Sequence, residues 1–270
     1  MLKDKISFSG RTALVMGSGR LGMGGETCRA LAELGARIVA VDITQERVDE
    51  ISADVKQRGA ECVGIVADLR DSAAIRDVVD VATKTFGDIH LLVNVVGGSK
   101  AGTWRPLEQY PDDVFDDVVA LNLRAMFRAS REVAAHMIRR KVDGRIVNFA
   151  STSGLASAPF HGAYGACKAG VMALTRTMAA EWGRYGLRAN AVAPGLIATV
   201  RENAVEAPKI PINWNPLVRH ATMGDVIGTV VFLLSDLSHG MTGQVLNVDA
   251  GASIRNPLGG AEFFEEYVSR

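Results

Sequence analysis

Three side chains in the middle of the sequence have the types and the spacing of a proton-transfer site. Tyr164 and Lys168 lie four residues apart in a segment with helical periodicity, so they share one face of a helix. Ser151 follows residues 145–149, a β-branched run that predicts a buried strand. A phenol with a pKa of about 10 is a weak base at neutral pH unless a cation such as Lys168 stabilises its phenolate. The three residues predict proton exchange with an alcohol or carbonyl oxygen that the Ser151 hydroxyl holds.

A glycine-rich turn follows the first predicted strand. It runs from Gly17 to Gly24 and leads directly into a helical segment. Glycines let a backbone approach a phosphate closely, and a helix N-terminus offers free N–H groups with a partial positive charge. Asp42 ends the second predicted strand, where a carboxylate accepts hydrogen bonds from ribose hydroxyls, although a helix cap is an alternative role. The pattern predicts a dinucleotide site.

Strand and helix patterns alternate along the chain. Short β-branched runs predict seven buried strands, at residues 12–16, 37–41, 61–66, 89–93, 145–149, 188–192 and 244–248. Longer segments predict six helices, at residues 24–34, 45–58, 72–86, 112–141, 163–185 and 224–235. We expect an α/β fold, a single doubly wound Rossmann domain over 1–270 with a seven-stranded parallel sheet and helices on both faces. A proline-containing insertion at about 196–221 is interpreted as a lid, and 252–270 as a C-terminal tail.

Composition and charge exclude several classes of protein. Of the 270 residues, 48% are apolar and 22% charged, which is typical of a globular domain. Thirty basic and thirty acidic residues cancel, so no broad field attracts nucleic acid or an anionic membrane. No apolar run approaches a membrane span and no secretory signal is visible, so we expect a cytoplasmic protein. The three cysteines lack metal-ligand spacing, and no metal is expected.

Further motifs together resemble those of one family. They are the turn from Gly17, Ala67-Asp68-Leu69, Leu92-Val93-Asn94, Asn122, the three residues above, Pro194-Gly195 with Ile197 and Thr199, and the closing stretch 242–249. Over nearly its whole length the chain resembles a short-chain dehydrogenase/reductase of the classical type. The resemblance implies a nicotinamide cofactor and hydride transfer between that cofactor and a secondary alcohol or ketone.

The resemblance also assigns roles at the reacting centre. Tyr164 is the expected acid/base, and Ser151 positions the substrate oxygen. Lys168 binds the nicotinamide ribose and tunes the phenol. Asn122 completes the catalytic set, because the matching asparagine holds a water that continues the proton path from the lysine.

A second set of residues is expected to bind the cofactor. Asp68 is expected at the adenine, Asn94 at the adenosine ribose, and Pro194, Ile197 and Thr199 beside the nicotinamide. The full predicted set is Gly17, Arg20, Leu21, Gly22, Met23, Asp42, Asp68, Leu69, Asn94, Tyr164, Lys168, Pro194, Ile197 and Thr199.

The chain departs from the family pattern in two motifs. In the glycine turn, Met16 replaces the usual threonine, and four residues instead of three separate Gly17 from Gly22. The turn therefore contains one inserted residue. The Asn-Asn-Ala-Gly motif appears as Asn94-Val95-Val96-Gly97, so the second amide is lost.

Two residues have opposite implications for the choice of cofactor. Asp42 would repel the 2′-phosphate of NADP and bond the free ribose hydroxyls of NAD. Arg20 stands three residues after Gly17, where NADP-using relatives often carry a basic residue. We expect NAD to be the cofactor and NADP to be disfavoured.

Two other functions stay open at this point. One is a catalytically silent nucleotide-binding or redox-sensing protein on the same fold, since a fold does not determine a function. The intact set of Ser151, Tyr164 and Lys168 argues against it, although each residue taken singly also fits a cap, packing or a solvated helix face. The other is an NADP-dependent 3-ketoacyl carrier-protein reductase. Asp42 and the zero net charge argue against it, because such an enzyme needs NADP and a basic patch for its acidic carrier.

The loops and the tail lead to expectations about substrate and assembly. The loops near the predicted site carry apolar side chains, which favour an uncharged cyclic or aliphatic alcohol or the matching ketone as the small-molecule substrate. These side chains are Trp104, Leu155, Phe160, Trp214 and Leu217. His161 either faces this substrate or is a solvated loop residue. Phe263, Phe264 and Tyr267 would make a costly exposed patch on a monomer. We expect a homotetramer in which the tail docks on a neighbouring subunit.

Overall fold

Seven parallel strands form one sheet at the centre of the molecule. The structure is a computed structural model that describes residues 2–99, 101–197 and 215–254. The strands are β1 (Thr12–Met16), β2 (Arg37–Asp42), β3 (Cys62–Val66), β4 (Leu91–Asn94), β5 (Arg145–Phe149), β6 (Arg188–Pro194) and β7 (Val245–Val248). They are hydrogen-bonded in the order β3-β2-β1-β4-β5-β6-β7, and every neighbouring pair is parallel. This confirms the predicted doubly wound sheet.

Helices cover both faces of this sheet. They are α1 (Leu2–Ile6), α2 (Met23–Glu33), α3 (Gln45–Gln57), α4 (Ser72–Phe86), α5 (Asp112–Val119), α6 (Ala125–Arg140), α7 (Gly162–Trp182) and α8 (Met223–Leu234). Successive side chains of a strand point to opposite faces. In β1, Leu14 and Met16 accordingly belong to one buried apolar cluster, and Ala13 and Val15 to the other. A sheet between two helix layers requires apolar side chains on both faces, as found here.

The order of the strands determines where ligands bind. The chain runs from β1 outwards through β2 to β3, then crosses back to β4 on the other side of β1. In open α/β sheets, ligands bind beyond the carboxyl ends of the strands at such a switch point. The glycine turn follows β1, Asp42 ends β2, Asn94 ends β4 and Ser151 comes after β5. One edge of the sheet therefore gathers the predicted cofactor and catalytic residues.

The helix that the sequence predicts over 112–141 contains an irregular turn. A π-helical turn, Ala120–Arg124, joins α5 to α6. Such a turn holds one extra residue and closes i→i+5 hydrogen bonds, and the N–H of Ala125 accordingly donates to the carbonyl of Ala120. Apolar periodicity does not distinguish a π-helical turn within a helix, so the sequence did not indicate it. The other predicted helices and the strands are confirmed, with ends that differ by a few residues.

The insertion and the tail lie mostly outside the described residues. Residues 198–214 of the predicted lid and residues 255–270 of the tail are not described. Both flanks of the insertion are anchored, since Ile197 forms a parallel bridge with Ala221. Thr222 then caps α8 through reciprocal hydrogen bonds with Asp225. The movement of this insertion as a lid and the single-domain boundary at 1–270 stay predictions.

Candidate active site

Ser151 is held at the carboxyl end of β5 by a tight turn. It precedes a 3-10 turn, Thr152–Gly154, and its Oγ accepts a hydrogen bond of 3.2 Å from the backbone N–H of Ser153. This turn packs directly on α7, since a Cβ on Gly154 would lie 2.6 Å from the backbone of that helix. Glycine at this position therefore lets Ser151 lie beside Tyr164.

Tyr164 and Lys168 lie on one face of α7, as their spacing predicts. Tyr164 is half-buried, and Nζ of Lys168 lies 5.5 Å from the centroid of the tyrosine ring. The same Nζ donates a hydrogen bond of 2.6 Å to the carbonyl oxygen of Phe149, the last residue of β5. This bond ties the lysine to the strand that presents Ser151, so the three predicted catalytic residues converge.

Burial changes the proton affinities of Tyr164 and Lys168. Lys168 is 3% exposed, and the loss of hydration lowers the pKa of its ammonium to about 8. Burial also raises the pKa of the Tyr164 phenol above 10.0, and the neighbouring Ser151 hydroxyl opposes part of this rise. At pH 7 the pair is therefore a neutral phenol beside an ammonium. A phenol in this state can donate a proton to a carbonyl oxygen.

The π-helical turn places Asn122 at the same site. Its Oδ1 accepts a hydrogen bond of 2.8 Å from the N–H of Gly98, and its Nδ2 donates to the carbonyl oxygens of Gly98 at 3.2 Å and Val118 at 3.0 Å. Gly97, with φ +138°, lies between this amide and Lys168. A Cβ there would be 2.6 Å from Asn122 Oδ1 and 3.5 Å from Lys168 Nζ. Asn122 thus fixes the loop after β4 against the lysine, and its water-holding role stays a prediction.

The glycine turn has the properties that a dinucleotide requires. Gly17 has φ +90°, and a Cβ on Gly24 would overlap the Gly17 carbonyl oxygen, so the turn folds tightly onto the start of α2. Gly22 occupies the N-cap position and Met23 is the first residue of the helix. Among the described residues, the buried Oγ of Ser18 has no hydrogen-bond partner. Close backbone approach, a helix N-terminus and an unpaired hydroxyl fit a diphosphate group there.

Asp42 faces the glycine turn and contacts an arginine that the sequence analysis missed. Its Oδ1 accepts hydrogen bonds from the N–H of Ile43 at 2.8 Å and from Arg47 at 3.3 Å. Its Oδ2 points to the turn, since a Cβ on Gly19 would lie 3.3 Å from it. Arg47 lies in the first turn of α3, which begins only three residues after β2 ends. That short connection is the signal from which the contact could have been anticipated.

Arg20, the basic residue that the sequence analysis considered, lies elsewhere. It is exposed and lines a surface cavity of about 480 Å³ between α2 and α3, together with Leu21, which is also exposed. Asp42 and Arg47 do not line this cavity. The structure therefore brings Arg47 rather than Arg20 to the carboxylate that is expected at the ribose.

The predicted adenine and ribose residues occupy different environments. Asp68 is paired with Arg70, whose guanidinium lies 2.7 Å from Oδ2 and holds the pKa of that carboxyl below its usual range. Leu69 is buried. Asn94 is 2% exposed, and its Nδ2 donates to Ser130 Oγ at 2.9 Å and Asn148 Oδ1 at 2.8 Å. The Asn94 side chain thus joins β4 to β5 and α6, and its predicted proximity to the ribose stays a prediction.

The residues expected beside the nicotinamide follow β6. Pro194 is buried at the end of that strand, and the next residue, Gly195, donates its N–H to the carbonyl of Val248 at 3.0 Å. Ile197 is half-buried where it bridges Ala221. Thr199 lies outside the described residues.

An aromatic pair lies on the loops next to the catalytic residues. The rings of Trp104 and His161 are 4.4 Å apart between centroids, and Trp104 Nε1 donates to Ser99 Oγ at 2.8 Å. Burial lowers the pKa of His161, so its ring is neutral at pH 7. Phe160 has φ +63° and is 60% exposed, and its carbonyl accepts a hydrogen bond from the N–H of Arg105. His161 is therefore part of an aromatic wall and not an isolated loop residue.

Several features bear on other kinds of site. Among the described residues, no group of histidine, cysteine or carboxylate side chains has the arrangement of a metal site. In the same part of the chain, no helix is long and apolar enough to cross a membrane. All three cysteines are buried and unpaired, and burial raises the pKa of Cys167, which precedes Lys168.

Comparisons with known proteins give consistent matches. A family model described as enoyl-(acyl carrier protein) reductase matches residues 18–253. The (2S)-[(R)-hydroxy(phenyl)methyl]succinyl-CoA dehydrogenase subunit BbsD of Thauera aromatica is 37% identical over 251 residues, covering 92% of this chain and 99% of that protein. An NAD⁺-bound xylitol dehydrogenase is 32% identical with a TM-score of 0.82, covering 90% and 99% of the two chains. A gluconate 5-dehydrogenase of Burkholderia cenocepacia in complex with NADP and tartrate is 32% identical with a TM-score of 0.87, covering 95% and 100%.

Proposed function

Because the chain belongs to the classical short-chain dehydrogenase/reductase family and is an oxidoreductase that acts on alcohols or ketones, we propose that Ser151, Tyr164 and Lys168 carry the reaction. The observation that most supports this assignment is the buried Lys168 ammonium beside the half-buried Tyr164 phenol. Within the part of the chain that the structure describes, no carboxylate pairs with this ammonium, and its pKa is lowered by burial. An unpaired ammonium is costly to bury, so its position calls for a functional reason. Asn122, which fixes the loop beside it, is the fourth member of the site.

The residues of the chain handle the proton and the substrate oxygen. When bound, the nicotinamide cofactor supplies or accepts the hydride. The Ser151 hydroxyl holds the oxygen by a hydrogen bond, and the neutral Tyr164 phenol donates its proton to that oxygen as a ketone is reduced. In the direction of alcohol oxidation, the Tyr164 phenol first releases its proton to solvent, and the phenolate then accepts the hydroxyl proton of the alcohol. The Lys168 ammonium favours this because it stabilises a phenolate.

Removal of the Tyr164 hydroxyl tests this assignment. Tyr164→Phe keeps the ring and loses only the acid, so we expect kcat to fall by at least about a hundredfold while the dissociation constant of the cofactor changes little. Tyr185→Phe makes the same change at an exposed residue and serves as the control. Reduction of ketones is followed by nicotinamide absorbance, and cofactor binding by calorimetry. Substantial turnover in Tyr164→Phe would refute the role of the phenol, and a wild-type protein without turnover on any alcohol or ketone would favour the catalytically silent alternative.

We further propose NAD as the cofactor in preference to NADP. Asp42 directs Oδ2 at the glycine turn, where it would accept a hydrogen bond from a free ribose hydroxyl and repel a 2′-phosphate. Arg47 donates a hydrogen bond to Oδ1 and offsets part of this repulsion, but Oδ2 of Asp42 still faces the turn. Asp42→Ala should therefore shift the ratio of dissociation constants toward NADP. An unchanged ratio, or wild-type catalytic efficiency that is as high with NADP, would overturn the proposal.

The loops support an uncharged, largely apolar alcohol or ketone as substrate. Trp104, Phe160, Leu155 and Leu217 all expose apolar side chains around the catalytic edge of the sheet, and the neutral His161 adds an uncharged ring to this set. A carrier-linked 3-ketoacyl reductase is less well supported, because Asp42 disfavours NADP. A screen of cyclic and aliphatic alcohols against sugar acids and carrier-linked substrates tests this preference.

The assembly and the location of the protein are proposed on the sequence. We propose a cytoplasmic homotetramer in which the aromatic residues of the tail, outside the described residues, dock on a neighbouring subunit. Deletion of the residues after Asn256 should then lower the stability of the oligomer or change the Michaelis constant. A truncated protein that still elutes as a tetramer with the same melting temperature and kinetics would show that the tail has no such role.

A further inference from the structure

Two carbonyl groups of the enlarged glycine turn, those of Gly19 and Arg20, accept hydrogen bonds from the protein. The carbonyl of Gly19 accepts hydrogen bonds from the N–H groups of Gly22 at 3.0 Å and Gly25 at 3.2 Å. The carbonyl of Arg20 accepts two bonds from a single side chain, Arg29, at 3.0 Å from Nη1 and 2.8 Å from Nη2. Within the described part of the chain, the N–H groups of Gly19, Arg20 and Leu21 have no protein acceptor. Around the inserted residue, the turn therefore has three unpaired N–H donors while the carbonyls of Gly19 and Arg20 are engaged, which suits an anion.

Arg29, a residue of α2, also has acidic partners on α2 and on α3. Its Nη2 lies 3.4 Å from Glu26 of α2, and its Nε lies 3.3 Å from Asp54 of α3. Its side chain is only 14% exposed. A guanidinium donates in several directions at once from one rigid plane, and here both Nη atoms donate to the Arg20 carbonyl while Nε lies beside the Asp54 carboxylate. This residue can therefore hold a backbone carbonyl in a defined place.

The Arg20 peptide lies in close contact with Gly25 in the first turn of α2. A Cβ on Gly25 would overlap the Arg20 carbonyl oxygen and lie 2.8 Å from the Arg20 Cα. The inserted residue of the turn lengthens the same stretch, between Gly17 and Gly22. A longer loop has more conformations to lose on binding a ligand, unless another part of the protein restricts it.

We propose that Arg29 is a positioning residue that holds the enlarged turn in its diphosphate-binding conformation. This inference rests on the proposed nicotinamide cofactor, whose diphosphate the turn would bind. Arg29 does not touch the reacting atoms, so its effect falls on cofactor affinity and not on the chemical step. The effect falls mainly on the phosphates, because the adenine and ribose are expected to be held by the side chains of Asp68 and Asp42, which Arg29 does not contact.

Binding of cofactor fragments tests this role. Arg29→Gln should raise the dissociation constants of NAD⁺ and ADP by at least about tenfold in calorimetry, since a free loop has to be ordered on binding. Adenosine, which lacks phosphates, should bind with a change of less than about twofold. The kcat at saturating cofactor should stay within about threefold of the wild type. Arg29→Lys keeps the charge but cannot donate two parallel bonds, so it should also weaken ADP binding.

Arg58→Gln is the matched control. Arg58 lines the same surface cavity and shares Asp54, but its other partner is Glu33 and not the turn. We expect it to leave the affinities for NAD⁺ and ADP within about twofold. Equal effects of the Arg58 and Arg29 variants, or unchanged ADP affinity in both Arg29 variants, would overturn the inference. A wild-type protein that binds neither NAD⁺, NADP⁺ nor ADP would overturn the proposed cofactor together with it.

Discussion

Replacement of Lys168 by methionine should separate stability from catalysis. Methionine is unbranched and flexible, so it can fill the space of the lysine stem without a charge. The pKa of Lys168 is 10.5 in an unfolded chain and about 8 in the folded protein. At about 1.36 kcal/mol per pKa unit, the buried ammonium costs about 3 kcal/mol of folding free energy at neutral pH. Loss of the bond to the Phe149 carbonyl opposes this gain by about 1 to 3 kcal/mol.

Lys168→Met is therefore expected to be as stable as the wild type at pH 7, or up to about 2 kcal/mol more stable. Its kcat/KM should fall by at least about a hundredfold, and its affinity for the cofactor should fall as well. A residue that is retained at a cost in stability indicates a functional requirement. Denaturant unfolding followed by tryptophan fluorescence gives the free energies, and steady-state kinetics give the activity.

The pH dependence provides the sharper part of this test. Above pH 8 the folded wild type gives up the Lys168 proton, whereas the unfolded chain keeps it up to pH 10.5, so the free energy of unfolding of the wild type rises with pH over this interval. Methionine does not titrate. Between pH 7 and about 9.5, the wild type should therefore gain about 2 kcal/mol relative to Lys168→Met.

Lys56→Met, at an exposed position of α3, should show no such change relative to the wild type. A Lys168→Met protein that is less stable than the wild type by more than about 1 kcal/mol at pH 7 would refute the cost assigned to burial. A stability difference that stays constant from neutral to alkaline pH would refute it too.

Three other expectations concern the site and its support. Gly97→Ala should lower kcat/KM by at least about tenfold, because its Cβ would lie 2.6 Å from Asn122 Oδ1 and displace this side chain. Gly98→Ala has a similar φ with open space around it and should cost less activity; equal losses would contradict the steric argument. The ring nitrogens of His90 and His136 accept backbone N–H bonds from Thr12 and Ile89, and burial lowers the pKa of both. As the pH falls below 6.5, the unfolded chain binds protons at these rings before the folded protein does, so the melting temperature of the wild type should fall. The melting temperature of His136→Gln should fall less over the same pH range. Curves of melting temperature against pH that run parallel for the two proteins would count against this prediction. Trp104→Ala should raise KM for an apolar alcohol while the affinity for NAD⁺ stays the same, and an unchanged KM would remove this ring from the substrate site.

The sequence predicts the fold well because its signals are local and periodic. The strand runs and the amphipathic segments alternate without interruption up to the insertion after Pro194, and parallel strands need helical crossovers between them. Tyr164 and Lys168 could be paired because a helix brings residues four apart together. Their contact with Ser151 depends on the close packing of Gly154 on α7, which no periodicity expresses.

Other parts of the site could not be predicted because they depend on contacts between elements. Arg29 reaches back from α2 to the Arg20 carbonyl and also contacts Asp54 of α3, and no periodicity expresses these contacts. The contact of Arg47 with Asp42 is the exception, because the short connection from β2 to α3 could have indicated it. Asn94 fits the family motif, yet its side chain lies in the core with Ser130 and Asn148. A motif identifies the position of a residue but not the direction of its side chain.

The π-helical turn at Ala120–Arg124 has a consequence for changes in chain length. Each residue advances an α-helix by about 100°, so one extra residue rotates everything beyond it by that angle. The side of α5 that packs on α7 and the side of α6 that packs on α4 and β4 are set by this rotation. Deleting any single residue of the turn would restore a regular helix but turn one of these sides away from its partner. The extra residue, which nothing in the sequence marks, therefore lets one continuous helical segment pack against α7 at the candidate active site and against α4 and β4 in the apolar core.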